Sequence, residues 1–149
     1  DPLAVDRLRR LGRWAARNGE AIYGPVERIQ GRIENWNSHG WYTLKGTAIY
    51  LWLLRGYPRE TLIVGGLRNR VRRVSLLGDP RPLRFRQTPV RVEIEGLPRR
   101  NPDGAAFTPV VKIECVGRPR QKIVPLPPVE TAWRRPPADG IGSDAQPIR

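Results

Sequence analysis

Val90-Arg91-Val92-Glu93-Ile94-Glu95 alternates apolar and charged side chains without a break. A β-strand sends successive side chains to opposite faces, so this run makes a strand with one buried and one solvated face. Leu83-Arg84-Phe85-Arg86 and Val111-Lys112-Ile113-Glu114-Cys115 repeat the pattern, and Trp41–Leu44, Glu60–Val64 and Val71–Leu77 are further strand candidates. Between them stand Gly56, Gly65-Gly66, Gly78-Asp79-Pro80, Gly96 and Asn101-Pro102-Asp103-Gly104. These are residue types that turn a chain. Short strands at regular spacing with such turns predict an antiparallel sandwich or barrel. Thr47–Leu54 is apolar on both faces, with Ile49, Leu51 and Leu53 on one and Ala48, Tyr50, Trp52 and Leu54 on the other. Such a strand is central, or something covers its second face.

Leu3–Arg17 follows a different period. Ala4, Leu8, Leu11 and Ala15 fall at i, i+4, i+7 and i+11, which is one stripe of a helix. Arg7, Arg10, Arg13 and Arg17 lie off it. Asn18-Gly19 predicts the helix stop, since these residues accept the left-handed conformation of a C-terminal cap. An isolated helix of this length is marginal in water, so the stripe needs a partner surface. Beyond Val116 the chain turns Pro-rich, and Arg118–Arg149 reads as an extended tail that Trp133 anchors. The fold class is therefore mainly β: an antiparallel β-sandwich preceded by one amphipathic α-helix and followed by a Pro-rich C-terminal tail.

At 149 residues the chain is too short for a complete α/β barrel, which takes roughly 250. No apolar run approaches the ~20 residues of a membrane-spanning helix. A lone Cys115 and a lone His39 exclude an internal disulfide framework, a cysteine zinc site and His-pair metal sites, so no metal and no cofactor are expected. The chain begins at Asp1, lacks Met, and is charged through Asp1–Ala21 with no signal peptide. It reads as a piece of a longer or processed polypeptide. The net charge is +13, and only Lys45, Lys112 and Lys122 among the 27 basic residues are lysines. Such a balance attracts polyanions, but the arginines look dispersed along the sequence, as they would be on solvated strand faces.

Few residues form a chemical constellation. Glu93 and Glu95 share the wet face of one strand, where arginines opposite them are a better expectation than an acid–base pair. Cys115 closes a strand on its apolar side and reads as an inert buried thiol. Trp36, His39, Trp41 and Tyr42 cluster among Asn35, Asn37 and Ser38. Flat rings with amides and hydroxyls are what a carbohydrate site uses. The competing reading makes Trp41 and Tyr42 strand core and Asn37-Ser38-His39-Gly40 a turn.

Several stretches resemble the C-terminal part of α-L-fucosidases of glycoside hydrolase family 29. Leu11-Gly12-Arg13-Trp14 followed by Asn18-Gly19-Glu20-Ala21-Ile22-Tyr23-Gly24 resembles the last helix of that family's catalytic barrel and its exit segment. Tyr42-Thr43-Leu44-Lys45-Gly46 with Ile49-Tyr50 resembles the first hairpin of its C-terminal sandwich. Val74-Ser75-Leu76-Leu77-Gly78 resembles a later strand, and Gly96-Leu97-Pro98 ahead of Val110–Cys115 resembles the closing pair. Gly24-Pro25 departs from the family's common Gly-Thr.

The resemblance implies a division into 1–24, the last helix and exit segment of a (β/α) barrel otherwise absent; 25–116, the C-terminal sandwich; and 117–149, the tail. It implies that Ala4, Leu8, Leu11 and Ala15 dock on the missing barrel of the same polypeptide. The parent would be a retaining hydrolase of terminal α-L-fucosyl residues, with a carboxylate pair about 5 Å apart. Both carboxylates belong to the barrel, so no catalytic residue is carried over and Glu20 is read as structural. Fucosylated glycans are then ligands of the parent, and the piece alone is no enzyme. Localisation follows the family: secreted, periplasmic or lysosomal. The alternatives are a free-standing carbohydrate-binding module using Trp36, Trp41 and Tyr42, and an Arg-rich polyanion or nucleic-acid binder without sequence-specific contacts.

Overall fold

The computed structural model describes residues 1–28, 39–54, 61–104 and 106–121. Among the described residues one helix, α1 (Pro2–Ile22), precedes eight strands: β1 (Glu27–Arg28), β2 (Trp41–Lys45), β3 (Ala48–Trp52), β4 (Leu62–Gly65), β5 (Val71–Leu76), β6 (Arg84–Gln87), β7 (Arg91–Glu95) and β8 (Val110–Cys115). They form a five-stranded sheet in the order β1-β2-β3-β8-β5 and a three-stranded sheet in the order β4-β7-β6. Every strand pair is antiparallel. The expected fold class of one helix and an antiparallel, mainly β body is what the chain adopts. The Pro-rich tail beyond Gln121 lies outside the described residues, as do Trp133 and the segment 29–38 that holds Trp36.

The alternating sequences explain the layers. Tyr42 and Leu44 of β2, Ile49 and Leu51 of β3, Val74 and Leu76 of β5, and Val111, Ile113 and Cys115 of β8 share one buried cluster with Leu62 and Val64 of β4 and Val92 and Ile94 of β7. This is the core between the sheets. Ile49 pairs with Ile113, which pairs in turn with Val74, so three adjacent strands deliver branched side chains at one level. The burial of each removes apolar surface from water, worth about 1.5–3 kcal/mol for a side chain of this size.

The two-faced strand β3 has its second face covered by α1. Ala48, Tyr50, Leu77 and Val110 form a second buried cluster with Ala21 of the helix, and Trp52 packs against it. The helix does not stop at Asn18-Gly19. It continues to Ile22, because Asn18 is fully buried at the sheet and its Nδ2 donates to the Trp14 carbonyl one turn back at 3.1 Å. The Tyr23 amide closes the last turn on the Gly19 carbonyl, and the positive-φ glycine after the helix is Gly24. Tertiary burial outweighs the local stop signal here.

Candidate functional site

The side chains with polar or aromatic chemistry gather where α1 crosses the five-stranded sheet. Trp14, Arg17, Asn18 and Ala21 face the sheet, at i, i+3, i+4 and i+7. Trp14 Nε1 donates to the Thr108 carbonyl at 3.0 Å, and its ring lies 6.3 Å from that of Trp52 and 6.0 Å from that of Phe107. Trp52 Nε1 donates to Thr43 Oγ1 at 3.0 Å. Arg17 donates to Asp103 Oδ1 at 2.7 Å and to the Pro102 carbonyl at 3.2 Å. Its stem lies across Gly78, whose φ is 77° and where a Cβ would fall 1.8 Å from Arg17 Cγ. The Leu77-Gly78 turn is thus a seat for the helix.

Glu20 anchors the other edge of the seam. Its Oε1 accepts from the Tyr50 hydroxyl at 2.8 Å and pairs with Lys112 Nζ at 2.6 Å. Lys112 also reaches Glu114 at 3.4 Å, and Lys45 caps the helix end by donating to the Glu20 and Tyr23 carbonyls. Burial alone would raise the Glu20 pKa, but the hydrogen bonds from Lys112 and Tyr50 outweigh it and hold the carboxyl below its ordinary range. Burial, then the Glu20 carboxylate, push the Tyr50 phenol up. Hydrogen bonds and opposite charge saturate this trio, which fixes the angle of the helix.

The aromatic candidates separate. Tyr42 is completely buried in the inter-sheet core, whereas Trp41 is 52% exposed on the opposite face. Adjacent residues of a strand point to opposite sides, so these two rings share no surface, and Tyr42 is core rather than a sugar contact. Trp41 is instead the cross-strand partner of Trp52, which extends the row Trp52, Trp14, Phe107 toward solvent. His39 stands two residues before Trp41, where the chain closes on β3; it is half-buried, and burial lowers its pKa below the ordinary imidazole value. Gly40 allows this approach: a Cβ there would fall 1.5 Å from the Trp52 carbonyl oxygen.

Two other candidates resolve simply. Glu93 accepts from Arg86 and Arg91 at 3.0 and 2.7 Å, and Glu95 faces Arg84 at 4.0 Å. They are a charge-paired strand face. Cys115 is buried, and burial pushes its thiol up to about 11. A group that stays protonated there is a poor nucleophile. Among the described residues no three His, Cys, Asp or Glu side chains come together as a metal set, and no helix is long and apolar enough to cross a membrane.

The stripe Ala4, Leu8, Leu11, Ala15 does not face the sheet. At about 100° per residue, it sits roughly a quarter turn from the docking face that Trp14 and Ala21 define. Leu8 is 67% exposed and Leu11 48%. Every residue from Asp1 to Arg13 is exposed. Sequence reasoning found this stripe and missed the docking face, because the latter carries Trp, Arg and Asn rather than aliphatic residues.

No family model matches the chain. Over 90 residues it is 30% identical to a tissue alpha-L-fucosidase of Bos taurus. The match covers 59% of this chain and 18% of that protein, so the chain spans less than one fifth of the relative's length.

Proposed function

We propose that this chain is the non-catalytic C-terminal portion of a fucosidase-related polypeptide, carrying the last helix of a (β/α) barrel and the β-sandwich that follows it. The parent is a retaining α-L-fucosidase acting on terminal α-L-fucosyl residues of glycans, secreted, periplasmic or lysosomal. The observation that carries the reading is the half-docked helix. Its last two turns are pinned to the sandwich, while Asp1–Arg13 projects with Leu3, Leu8 and Leu11 in water. Thirteen unsupported residues are too few for a stable helix in water. A helix held at one end by the sandwich and apolar at the other is what a connector between two packed bodies requires. The likeness to a fucosidase supports the barrel as the second body.

In this reading the sandwich performs no bond cleavage. It holds the final barrel helix at a fixed angle through Trp14, Arg17 and Glu20. The parent's carboxylate pair lies in the barrel. The test is to express the complete reading frame containing this chain, and the 149-residue chain alone, and to assay both on an aryl α-L-fucoside. Turnover by the longer protein and none by the chain is expected. Turnover by the chain that depends on one of its own carboxylates overturns the reading, as does a reading frame with no barrel upstream.

The exposed Trp41 beside Trp52 favours a second role, contact with a glycan by ring stacking, with His39 as its polar neighbour. Trp41→Ala should then weaken retention on a fucosylated glycan matrix without altering hydrolysis of the small aryl fucoside.

A further inference from the structure

The fold gathers six of the arginines that look dispersed in the sequence at one place. Leu67 and Gln121 form an antiparallel bridge. The next residues along it, Arg68 and Arg120, are joined by a hydrogen bond from the Arg68 amide to the Arg120 carbonyl at 2.9 Å. Arg70 follows, its carbonyl accepting from the Val116 amide at 2.9 Å, and Arg72 and Arg73 stand together at the irregularity in β5. With Arg118 these make six exposed arginines on two adjoining segments. Arg118 pairs with Glu27, and Arg73 donates to the Pro80 carbonyl. Among the described residues, Arg68, Arg70, Arg72 and Arg120 have no carboxylate partner.

The backbone beneath them is held in place by side-chain amides. Asn69 Nδ2 donates to the Val116 and Arg118 carbonyls at 2.9 and 3.0 Å, and its Oδ1 accepts from the Arg120 amide at 2.6 Å. Gln87 donates to the Asn69 carbonyl at 2.7 Å and accepts from the Val71 amide at 2.9 Å. Gln121 donates to the Gly65 carbonyl. Like charges placed across neighbouring strands repel and cost stability. A lattice of amides that fixes the backbone beneath them keeps these cations close together, and a bound polyanion offsets the repulsion. Guanidinium groups suit this task, because their planar forks match tetrahedral oxyanions.

We propose that this Arg68–Arg70–Arg120 face binds a sulfated polysaccharide. Segments 67–73 and 115–121 contain no aromatic residue, so the stacking platform of single-strand nucleic-acid binders is missing there. Both segments are extended, with no helix to enter a major groove. The choice of a glycan over a nucleic acid also rests on the fucosidase-related reading; the cation array itself does not. Sulfate esters spaced along a sugar chain meet the array one by one, and their counterions are released as they do.

The experiment measures binding of the 149-residue chain to dextran sulfate across a salt series, with neutral dextran and duplex DNA as parallel ligands. The triple variant Arg68→Gln/Arg70→Gln/Arg120→Gln is compared with Arg7→Gln/Arg9→Gln/Arg10→Gln, which removes the same charge from the projecting helix. The first should lose on the order of tenfold or more in affinity, and its salt slope should fall by about three, close to one per cation removed. The helix variant should change little. Equal loss in both variants means diffuse attraction by net charge and overturns the site. Duplex DNA bound as tightly as dextran sulfate, through the same three residues, overturns the glycan assignment in favour of a nucleic acid. If the triple variant fails to fold, Arg68→Gln and Arg120→Gln singly give the same reading one cation at a time. Hydrolysis of the neutral aryl fucoside by the longer protein is a separate readout, so the site and the fucosidase-related origin stand or fall apart.

Discussion

Between the two sheets the side chains that meet are almost all hydrocarbon, from Leu51 and Ile113 on one side to Val92 and Ile94 on the other. Between α1 and the five-stranded sheet a small apolar centre of Ala21, Ala48, Leu77 and Val110 is ringed by Trp14–Thr108, Arg17–Asp103 and Glu20–Tyr50–Lys112 contacts. The first seam is non-directional and stabilises in proportion to the area it buries. The second is directional. Each polar contact adds only about 0.5–1.5 kcal/mol net, but together they fix where the helix lies. A connector whose far end must meet another body needs that second kind of seam, because an error in angle at the sandwich grows along the helix.

The largest effect should come from the apolar seam. Ile113 is fully buried and sits between Ile49 and Val74. Ile113→Ala removes its contacts and leaves a cavity that strands on both sides cannot close, so chemical denaturation should show a loss of about 2–5 kcal/mol. A smaller loss would mean that the two sheets slide together more readily than their register suggests.

The seat at Gly78 comes next. Gly78→Val adds a side chain at a positive φ and drives it into the stem of Arg17. The left-handed backbone alone costs roughly 1–2 kcal/mol for a residue with a Cβ. The helix should lift while the inter-sheet core stays folded, which hydrogen exchange separates by comparing amides of α1 with those of the buried strands. Adding Arg17→Ala should recover part of the loss, since it removes the collision but not the backbone strain. No recovery would show that the turn, not the arginine stem, sets the seat.

These two seams also differ in how legible they are in the sequence. The inter-sheet core follows from period two: Val92 and Ile94, Val111 and Ile113, and the two-faced run around Leu51 name their own burial. The short β1 carries no such pattern in two residues, and its pairing with Leu44 and Thr43 appears only in the folded chain. The helix seam was hidden for a physical reason. Its docking face presents Trp14, Arg17 and Asn18, and an amphipathicity argument assigns Arg and Asn to water. It therefore finds the aliphatic stripe a quarter turn away. Asn18 misleads as a supposed stop signal, because its burial depends on residues distant in sequence. Tyr42 was ambiguous for a related reason, since an aromatic ring serves core and ligand site alike. The arginine face was invisible because Arg68 and Arg120 are brought together by a bridge between distant segments.

Tyr50→Phe probes the polar seam at its mildest. It keeps the ring and removes the donor to Glu20, so the loss should be about 0.5–1.5 kcal/mol. Its signature is in pH. The folded-state pKa of Glu20 lies below its ordinary value near 4.5, so its contribution is present above that value and is lost as pH falls through the folded pKa. Without the Tyr50 hydroxyl the folded pKa rises back toward the ordinary value, so that loss should be smaller and complete at a higher pH. Glu20→Gln should abolish this acid-side component of helix release, again followed by hydrogen exchange of the α1 amides. An unchanged acid profile in both variants would remove Glu20 from the list of groups that hold the helix. Since Glu20 is 45% exposed, the Lys112 pair on its own should matter little.

The smallest effect in this chain should come from the part of the helix that belongs to neither seam. Leu8 and Leu11 lie on the exposed half of the helix, so Leu8→Asp/Leu11→Asp removes little buried surface within the described residues. Exposed substitutions of this kind stay within about 0.5 kcal/mol, with a further loss confined to the projecting turns because Asp is a weaker helix former than Leu. Unfolding of the sandwich, followed through the buried strands by hydrogen exchange, should be unchanged. On the proposed reading, in which a barrel covers this half of the helix, the same double change should be severe in the longer polypeptide, since burying each leucine would contribute roughly 1.5–3 kcal/mol. Thermal unfolding of both proteins, with and without the double change, makes the comparison. If the isolated chain loses as much as the longer protein, the projecting half is part of the sandwich's own stability, and the helix is a lid on one body rather than a link between two.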